Sequence, residues 1–260
     1  MEFSYLDFSY EGEVARLTFN RPEVMNALNK DMHSEIATVF SLLKAKDAIK
    51  CLVITGNGRG FCTGQDLEER RVVEGQVMPD LGDSLEQRYN PLIKAIRQFP
   101  FPVICALNGP AVGAGAGIAL ASDIAVAVKT ASLVLPFTRL GLLPDSGVTW
   151  CLPRTAGFAR ASATMLLCEP ISALEAKEWG LIWKVVETDE LNDAVEEIIN
   201  KVISQPALGM ALTKQALNKS LSNDLVQQLE LESTLQRQAG AHPEYQKRVL
   251  AFLNRKRKVT

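Results

Sequence analysis

The chain has 260 residues, 47% of them hydrophobic and 22% charged, with a formal net charge of −2. That length and apolar content suit a globular protein of one large or two small domains with a substantial core. The balanced charge excludes a general pull toward nucleic acid, and no apolar run is long and unbroken enough to span a membrane.

The N-terminal stretch MEFSYLDFSYEGEV has neither a basic start nor an apolar run. No signal peptide is therefore expected, and the expected location is cytoplasmic. Val14–Phe19 alternates apolar and polar residues and predicts a strand. Asn29 predicts the cap of a helix running to about Ala45. Cys51–Thr55 reads as a short buried strand ending in the turn-rich Gly56-Asn57-Gly58-Arg59-Gly60. Residues 68–83 carry mixed charges and two glycines and read as a mobile loop. Ser84 with Gln87 predicts a capping box for a helix through about Phe99, closed by Pro100 and Pro102. Val103–Leu107 and Ile124–Val128 predict two apolar strands. Ser172 with Glu175 predicts another capping box, Gly180 the end of that helix, and Ile182–Val186 a last short strand. From Leu191 the pattern is helical, interrupted at Pro206, near Asn223 and at Pro243, with Leu225 and Leu229 on an amphipathic helix. The expected layout is an α/β core over residues 1–200 followed by a helical C-terminal region over 201–260, the kind of outlying helix set that covers a neighbouring subunit. The run Arg255-Lys256-Arg257-Lys258 is locally basic and reads as a solvated face or a phosphate contact.

Few side chains offer chemistry. The five cysteines (51, 62, 105, 151 and 168) are odd in number, lack CxxC spacing and lie mostly among apolar residues, so they read as reduced core residues. His33 and His242 are the sole histidines. His33 falls on a predicted helix and His242 precedes a proline in a polar loop, so Ser-His and Cys-His schemes are poorly supported. No His/Cys/Asp cluster has ligand spacing, so no metal is expected. The glycines at 56–64 have no Lys-Ser/Thr behind them and form no P-loop.

Two features remain. The first is Asn108–Asp123, NGPAVGAGAGIALASD, with glycines at 109, 113, 115 and 117 and almost no reactive side chain. Tight glycine turns leading into an apolar helix leave backbone N–H groups free at its start, suited to an oxygen gaining charge. Close helix packing through small residues is the plain alternative. The second is Asp145, the sole acid between Thr130 and Cys168, with Leu142, Leu143, Pro144, Val148 and Trp150 around it in sequence. Apolar surroundings would raise its pKa and make it a base. The same Pro144-Asp145-Ser146-Gly147 also suits a helix cap, as Asp66 and Asp123 suit caps or anchors.

Four blocks then carry a resemblance over nearly the whole chain. They are Phe19-Asn20-Arg21-Pro22 with Asn26-Ala27-Leu28; Gly60-Phe61-Cys62-Thr63-Gly64-Gln65-Asp66-Leu67; Asn108-Gly109 through Asp123-Ile124; and Leu140-Gly141-Leu142-Leu143-Pro144-Asp145-Ser146-Gly147. In this order they resemble the crotonase, or enoyl-CoA hydratase/isomerase, superfamily. The resemblance implies a spiral of repeated ββα units with a C-terminal helical trimerisation part, assembled as a homotrimer or a dimer of trimers. It implies an acyl-CoA thioester substrate, with no cofactor beyond the coenzyme A it carries. It implies an oxyanion hole made by the backbone N–H groups of Gln65 and Ala114, where many members carry glycine in place of Ala114. Coenzyme A and substrate would lie along Val24, Cys62, Gly64, Asp66, Leu67 and Gly113, with Phe137 lining the acyl pocket.

The departures from the family pattern select the reaction. Hydratases of the family carry glutamates at the positions held here by Gly117 and Phe137, whereas Asp145 falls where several isomerases carry an aspartate. The context of Asp145 and Arg88-Tyr89-Asn90-Pro91-Leu92 resemble the isomerases of ring-epoxidised phenylacetyl-CoA. The resemblance therefore implies an isomerase with Asp145 as the catalytic proton carrier. Its rivals are a hydratase using Glu68 or Glu69, and a non-catalytic acyl-CoA-binding protein on the same fold.

Overall fold

The computed structural model describes residues 2–71 and 79–256. Residues 72–78 of the expected loop, and the side chains of the basic run at 255–258, lie outside the described residues. The strands in chain order are β1 (Leu6–Glu11), β2 (Val14–Phe19), β3 (Cys51–Gly56), β4 (Val103–Leu107), β5 (Ala111–Val112), β6 (Ile124–Val128), β7 (Ser132–Val134), β8 (Ile171–Ser172) and β9 (Lys184–Val186). The first sheet has the order β1-β2-β3-β4-β6-β9, and β5-β7-β8 form a second, smaller one. Only the β1–β2 hairpin is antiparallel in the large sheet.

Position in the sheet explains each strand's composition. β4, between β3 and β6, is buried at all five residues, which is why VICAL reads as an unbroken apolar run. β2, nearer the edge, buries alternate residues, as its period-two pattern predicts. Around them Phe19, Phe61, Phe99, Leu52, Ile54 and Ile104 form the fully buried centre of the core.

The helices are α1 (Lys30–Lys44), α2 (Leu81–Ser84), α3 (Asn90–Gln98), α4 (Ala114–Ala121), α5 (Val148–Ala156), α6 (Phe158–Leu167), α7 (Ala173–Glu178), α8 (Leu191–Ile203), α9 (Ala207–Ser220), α10 (Leu225–Ala241) and α11 (Pro243–Lys256). Asn29 caps α1 by accepting from Met32 N, and the Ser172–Glu175 capping box opens α7, both as expected. The Ser84 capping box does not form. Asp80 caps instead, and Ser84 lies buried inside a helical run that passes through a π-helical turn at Leu85–Tyr89 into α3. Pro91 accounts for the wide turn: it lacks the N–H for an α-helical bond, and its ring crowds the carbonyl four residues back. The last strand is shorter than expected, because Leu181 and Ile182 enter the core from a turn before β9 begins.

α9 is tied to the core by one buried cation. Lys214 Nζ donates to Ile96 O at 2.9 Å, Phe101 O at 3.0 Å and Asp123 Oδ2 at 2.6 Å. Asp123 also accepts from Val103 N at 2.7 Å, so it anchors β4 and α9 together. Among the described residues no helix is long and apolar enough to cross a membrane.

Candidate active site

All eight residues of α4 are buried, and no side chain caps its first turn. Gly113 precedes it at φ 55° and ψ −118°, a conformation that in practice only glycine adopts. The Gly113 carbonyl accepts from Gly117 N at 3.1 Å along the helix. A trans peptide points its C=O and N–H in opposite directions, so the Ala114 N–H points out of the helix end.

The same reasoning orients Gln65. Leu28 N donates to Gly64 O at 2.6 Å, and Asp66 N donates to Leu28 O at 3.0 Å. The Gln65 N–H therefore faces away from Leu28. Among the described residues neither the Gln65 nor the Ala114 amide has an acceptor. The two lie side by side: a Cβ on Gly64, whose φ is 78°, would stand 3.1 Å from Ala114 N and 2.8 Å from Val112 O. A Cβ on Gly115 would collide with the Cys62 carbonyl, so glycine there lets the helix start press onto the 61–65 loop. The close packing of the plain alternative is thus present, and it leaves these two amides without an acceptor among the described residues. Neighbouring unpaired donors can hold one oxygen as it gains charge.

The loop carrying Gln65 is braced from below. Arg21 donates to Ala27 O at 2.6 Å and to Asp66 Oδ2 at 2.9 Å. Asp66 also accepts from Glu68 N at 3.2 Å, capping a short 3-10 turn over Leu67–Arg70. Its carboxylate is thereby engaged as an anchor. Asn26, fully buried at φ 58°, donates to the carbonyls of Asn57 and Gly60, both at 2.9 Å. Cys62 lies beneath, its Sγ accepting from Gly64 N at 3.4 Å, and burial pushes its thiol up to about 12. Val24 and Leu67 expose apolar side chains on the two turns flanking this loop.

Asp145 is half-buried, and burial raises its pKa above the usual carboxylate value, against a hydrogen bond from Ser146 and the charge of Arg70. Ser146 Oγ donates to Asp145 Oδ1 at 2.8 Å. The cap reading fails: α5 starts after Gly147, in the left-handed region, and no side chain caps it. The apolar surroundings expected from sequence are also only partly formed. Pro144 and Val148 are buried, but Leu142, Leu143 and Trp150 are 41%, 75% and 42% exposed. Ser146 is itself buried at φ 52°, a costly conformation for a residue with a Cβ. Gly117 makes room for it, since a Cβ there would meet Ser146 O at 2.8 Å. Phe137, also buried, brings its ring tip to 3.7 Å from where a Gly113 Cβ would stand.

Sequence reasoning missed a polar cluster beside these groups. Gln65 Oε1 accepts from Tyr89 Oη at 2.8 Å and from Arg70 at 3.0 Å, and Arg70 also donates to Ser84 Oγ at 3.0 Å. Gln65 Nε2 donates to Asp66 O at 2.9 Å. The His33 ring meets Tyr89 edge-on, with centroids 4.5 Å apart, and its buried Nε2 has no partner among the described residues. Burial first, then the charges of Arg88 and Arg70, lower the His33 pKa to about 4, so it is neutral at physiological pH. The sequence signals for this cluster were the Arg88-Tyr89-Asn90-Pro91-Leu92 resemblance and Pro91 inside a helical pattern.

Residues 9–259 match the enoyl-CoA hydratase/isomerase family. The chain belongs to the crotonase, or enoyl-CoA hydratase/isomerase, family. The 1,2-epoxyphenylacetyl-CoA isomerase of Escherichia coli K12 is 47% identical over 243 residues, covering 94% of this chain and 93% of that one. A Rhodobacter capsulatus protein, provisionally named an enoyl-CoA hydratase, is 39% identical over 98% of this chain and 97% of its own length. A Thermobifida fusca protein provisionally described as an enoyl-CoA hydratase, solved in complex with CoA, superposes with a TM-score of 0.81 at 33% identity, covering 91% of this chain and 93% of that chain. The fold is thus the crotonase fold expected from the four sequence blocks. Within this crotonase-family enzyme, the 144–147 turn packs on α4 at Gly117, and Phe137 packs beside Gly113 at the start of that helix.

Proposed function

We propose that this protein is an acyl-CoA isomerase in which Asp145 carries the proton and the amides of Gln65 and Ala114 stabilise a thioester enolate. The single observation that carries the reading is the fit between Gly117 and Ser146. It holds an acid of raised pKa in the 144–147 turn and leaves no room for a glutamate at 117. A double-bond shift needs only one such group. Asp145 removes a proton beside the conjugated system, the electrons move onto the thioester oxygen held by the two N–H donors, and Asp145 returns the proton to another carbon. Donors of this kind are worth about a hundredfold or more each.

Coenzyme A would run along the Val24 and Cys62–Leu67 turns, with the acyl group reaching past Gly113 to Phe137. The likeness to a CoA-bound relative and to a ring-epoxide isomerase supports this reading. A ring-epoxidised aryl-acetyl group is the favoured acyl class, with straight-chain enoyl groups as the second. A hydratase would need a further acid to place water. Glu68 pairs with Arg71 at 2.8 Å, and Glu69 accepts from Lys30 N at 2.9 Å, both on the exposed face of their turn. Assembly into trimers is the companion proposal. It draws on a groove of about 790 Å³ between α9 and α10, and on the exposed Leu217, Leu225, Val226 and Leu229.

The deciding experiment is a panel of 2-enoyl, 3-enoyl and ring-epoxide CoA esters turned over in labelled water. Double-bond migration or ring expansion with no solvent oxygen in the product is expected. Incorporated oxygen would reject the isomerase reading, and CoA-ester binding without any turnover would reject catalysis.

A further inference from the structure

The carboxamide of Gln65 is held more tightly than a half-buried side chain needs. Its orientation is fixed by chemistry. Arg70 can only donate, so Oε1 must face it, and the carbonyls of Asp66 and Leu28 can only accept, so Nε2 must face them, at 2.9 Å and 3.4 Å. Tyr89 contacts the same Oε1 at 2.8 Å, and so it too must be the donor. Burial above all keeps its phenol well above its ordinary pKa, so this donor persists across the working pH range.

Tyr89 is delivered by an unusual piece of backbone. It ends the π-helical turn Leu85–Tyr89, where Asn90 N donates to Leu85 O. The extra residue turns the following helix by about 100° relative to an uninterrupted one. Arg70 is steadied in turn by Ser84 Oγ at 3.0 Å, from the same helical run. The run and the 61–65 loop, separate in sequence, thus meet at one amide oxygen.

We infer that Tyr89 and Arg70 are positioning residues that act through the Gln65 side chain to hold the Gln65 main-chain N–H on the thioester oxygen. This rests on the oxyanion role proposed above for that amide. Two main-chain bonds to Leu28 bracket Gln65, from Leu28 N to Gly64 O at 2.6 Å and from Asp66 N to Leu28 O at 3.0 Å. Both run to the one residue, so the Gly64–Gln65 peptide plane can still rock about them. The Tyr89–Gln65–Arg70 contacts add a further restraint from a different direction, through the side chain on the same Cα. Rocking costs catalysis because the donor must meet the oxygen as its charge develops, not merely as substrate binds.

The test is a double-mutant cycle on Tyr89→Phe and Gln65→Ala, read in two ways. The first is kcat and KM. The second is the carbonyl stretch of a bound saturated acyl-CoA labelled with carbon-13 at the thioester, followed by isotope-edited infrared. Tyr89→Phe keeps the ring, its contact with His33 and the π turn. It is expected to lower kcat about tenfold with little change in KM, the loss of one buried hydrogen bond. It should also move the bound carbonyl stretch back toward the free value. Adding Tyr89→Phe to Gln65→Ala should then change neither readout further. Independent, additive losses would overturn the inference, as would an unshifted stretch in Tyr89→Phe. A wild-type complex whose carbonyl stretch equals that of free ester would instead overturn the oxyanion role itself, which separates the two failures.

Discussion

A Cβ added to Gly117 would stand 2.5 Å from the Cβ of Ser146 and 2.8 Å from its carbonyl oxygen, so the bare backbone of helix α4 packs directly on Ser146. Ser146 occupies the left-handed region at φ 52° to make that contact, and its hydroxyl donates to Asp145. The absence of a glutamate at 117 and the placement of the aspartate at 145 are therefore one structural fact.

Gly117→Glu should not create a hydratase. The new side chain has to displace the Ser146 backbone, an overpacking worth about 1–3 kcal/mol or more. We expect a lowered melting temperature, loss of isomerisation and no solvent oxygen in the product. Labelled oxygen in the product at a wild-type melting temperature would show that the turn yields without cost.

Asp145→Asn should lower turnover by about a hundredfold or more while leaving CoA-ester affinity close to wild type. It should also raise stability at neutral pH. The native state holds the Asp145 proton more tightly than the unfolded chain does, so stability falls as pH rises from the ordinary carboxylate value through the raised one. Asparagine removes that loss. Melting curves across pH 3 to 8, set beside the steady-state rates, check both halves.

His33→Phe tests the buried imidazole. With a native pKa of about 4 against an ordinary 6.5, its stabilising contribution is complete above pH 6.5 and is lost as pH falls toward 4. Full loss amounts to roughly 3 kcal/mol. The groups facing it are Tyr89, Arg70 and Arg88. Phenylalanine keeps the edge-on contact with Tyr89 and cannot titrate. Its unfolding free energy should fall less steeply than wild type's across that window, as read by denaturant titrations at several pH values.

Lys214→Met should be the most damaging single change outside the site, at about 3–5 kcal/mol. It strands Asp123 with Val103 N as its remaining partner and leaves two backbone carbonyls unmet. Adding Asp123→Asn should restore part of the loss, because the amide oxygen still accepts from Val103 N without a buried charge. Equal stability of the single and double variants would show that the carboxylate is not the source of the cost.

Much of this architecture is legible in the residues. β4 and β6 lie where their apolar runs stand, and Asn29 and Ser172 cap the helices they precede. Local chemistry decides those features. Ser84 misleads for the opposite reason: its pattern matches a cap, but Asp80 starts the helix earlier and the serine is drawn inside to meet Arg70. Asp145 is similar, since Pro-Asp-Ser-Gly suits a cap until Ser146 takes a left-handed conformation against Gly117. The Tyr89–Gln65 contact joins residues 24 apart through a π turn. No local spacing rule encodes such a meeting; the resemblance marks the Arg88–Leu92 block without saying what Tyr89 touches.

Both unpaired amides follow a glycine with positive φ, and each peptide is oriented by a bond to its own carbonyl. A side-chain replacement at 65 or 114 can misplace these donors, but none short of proline deletes the main-chain hydrogen. The acid and the lining around such a cradle can then be exchanged while the charge-accepting backbone stays in place.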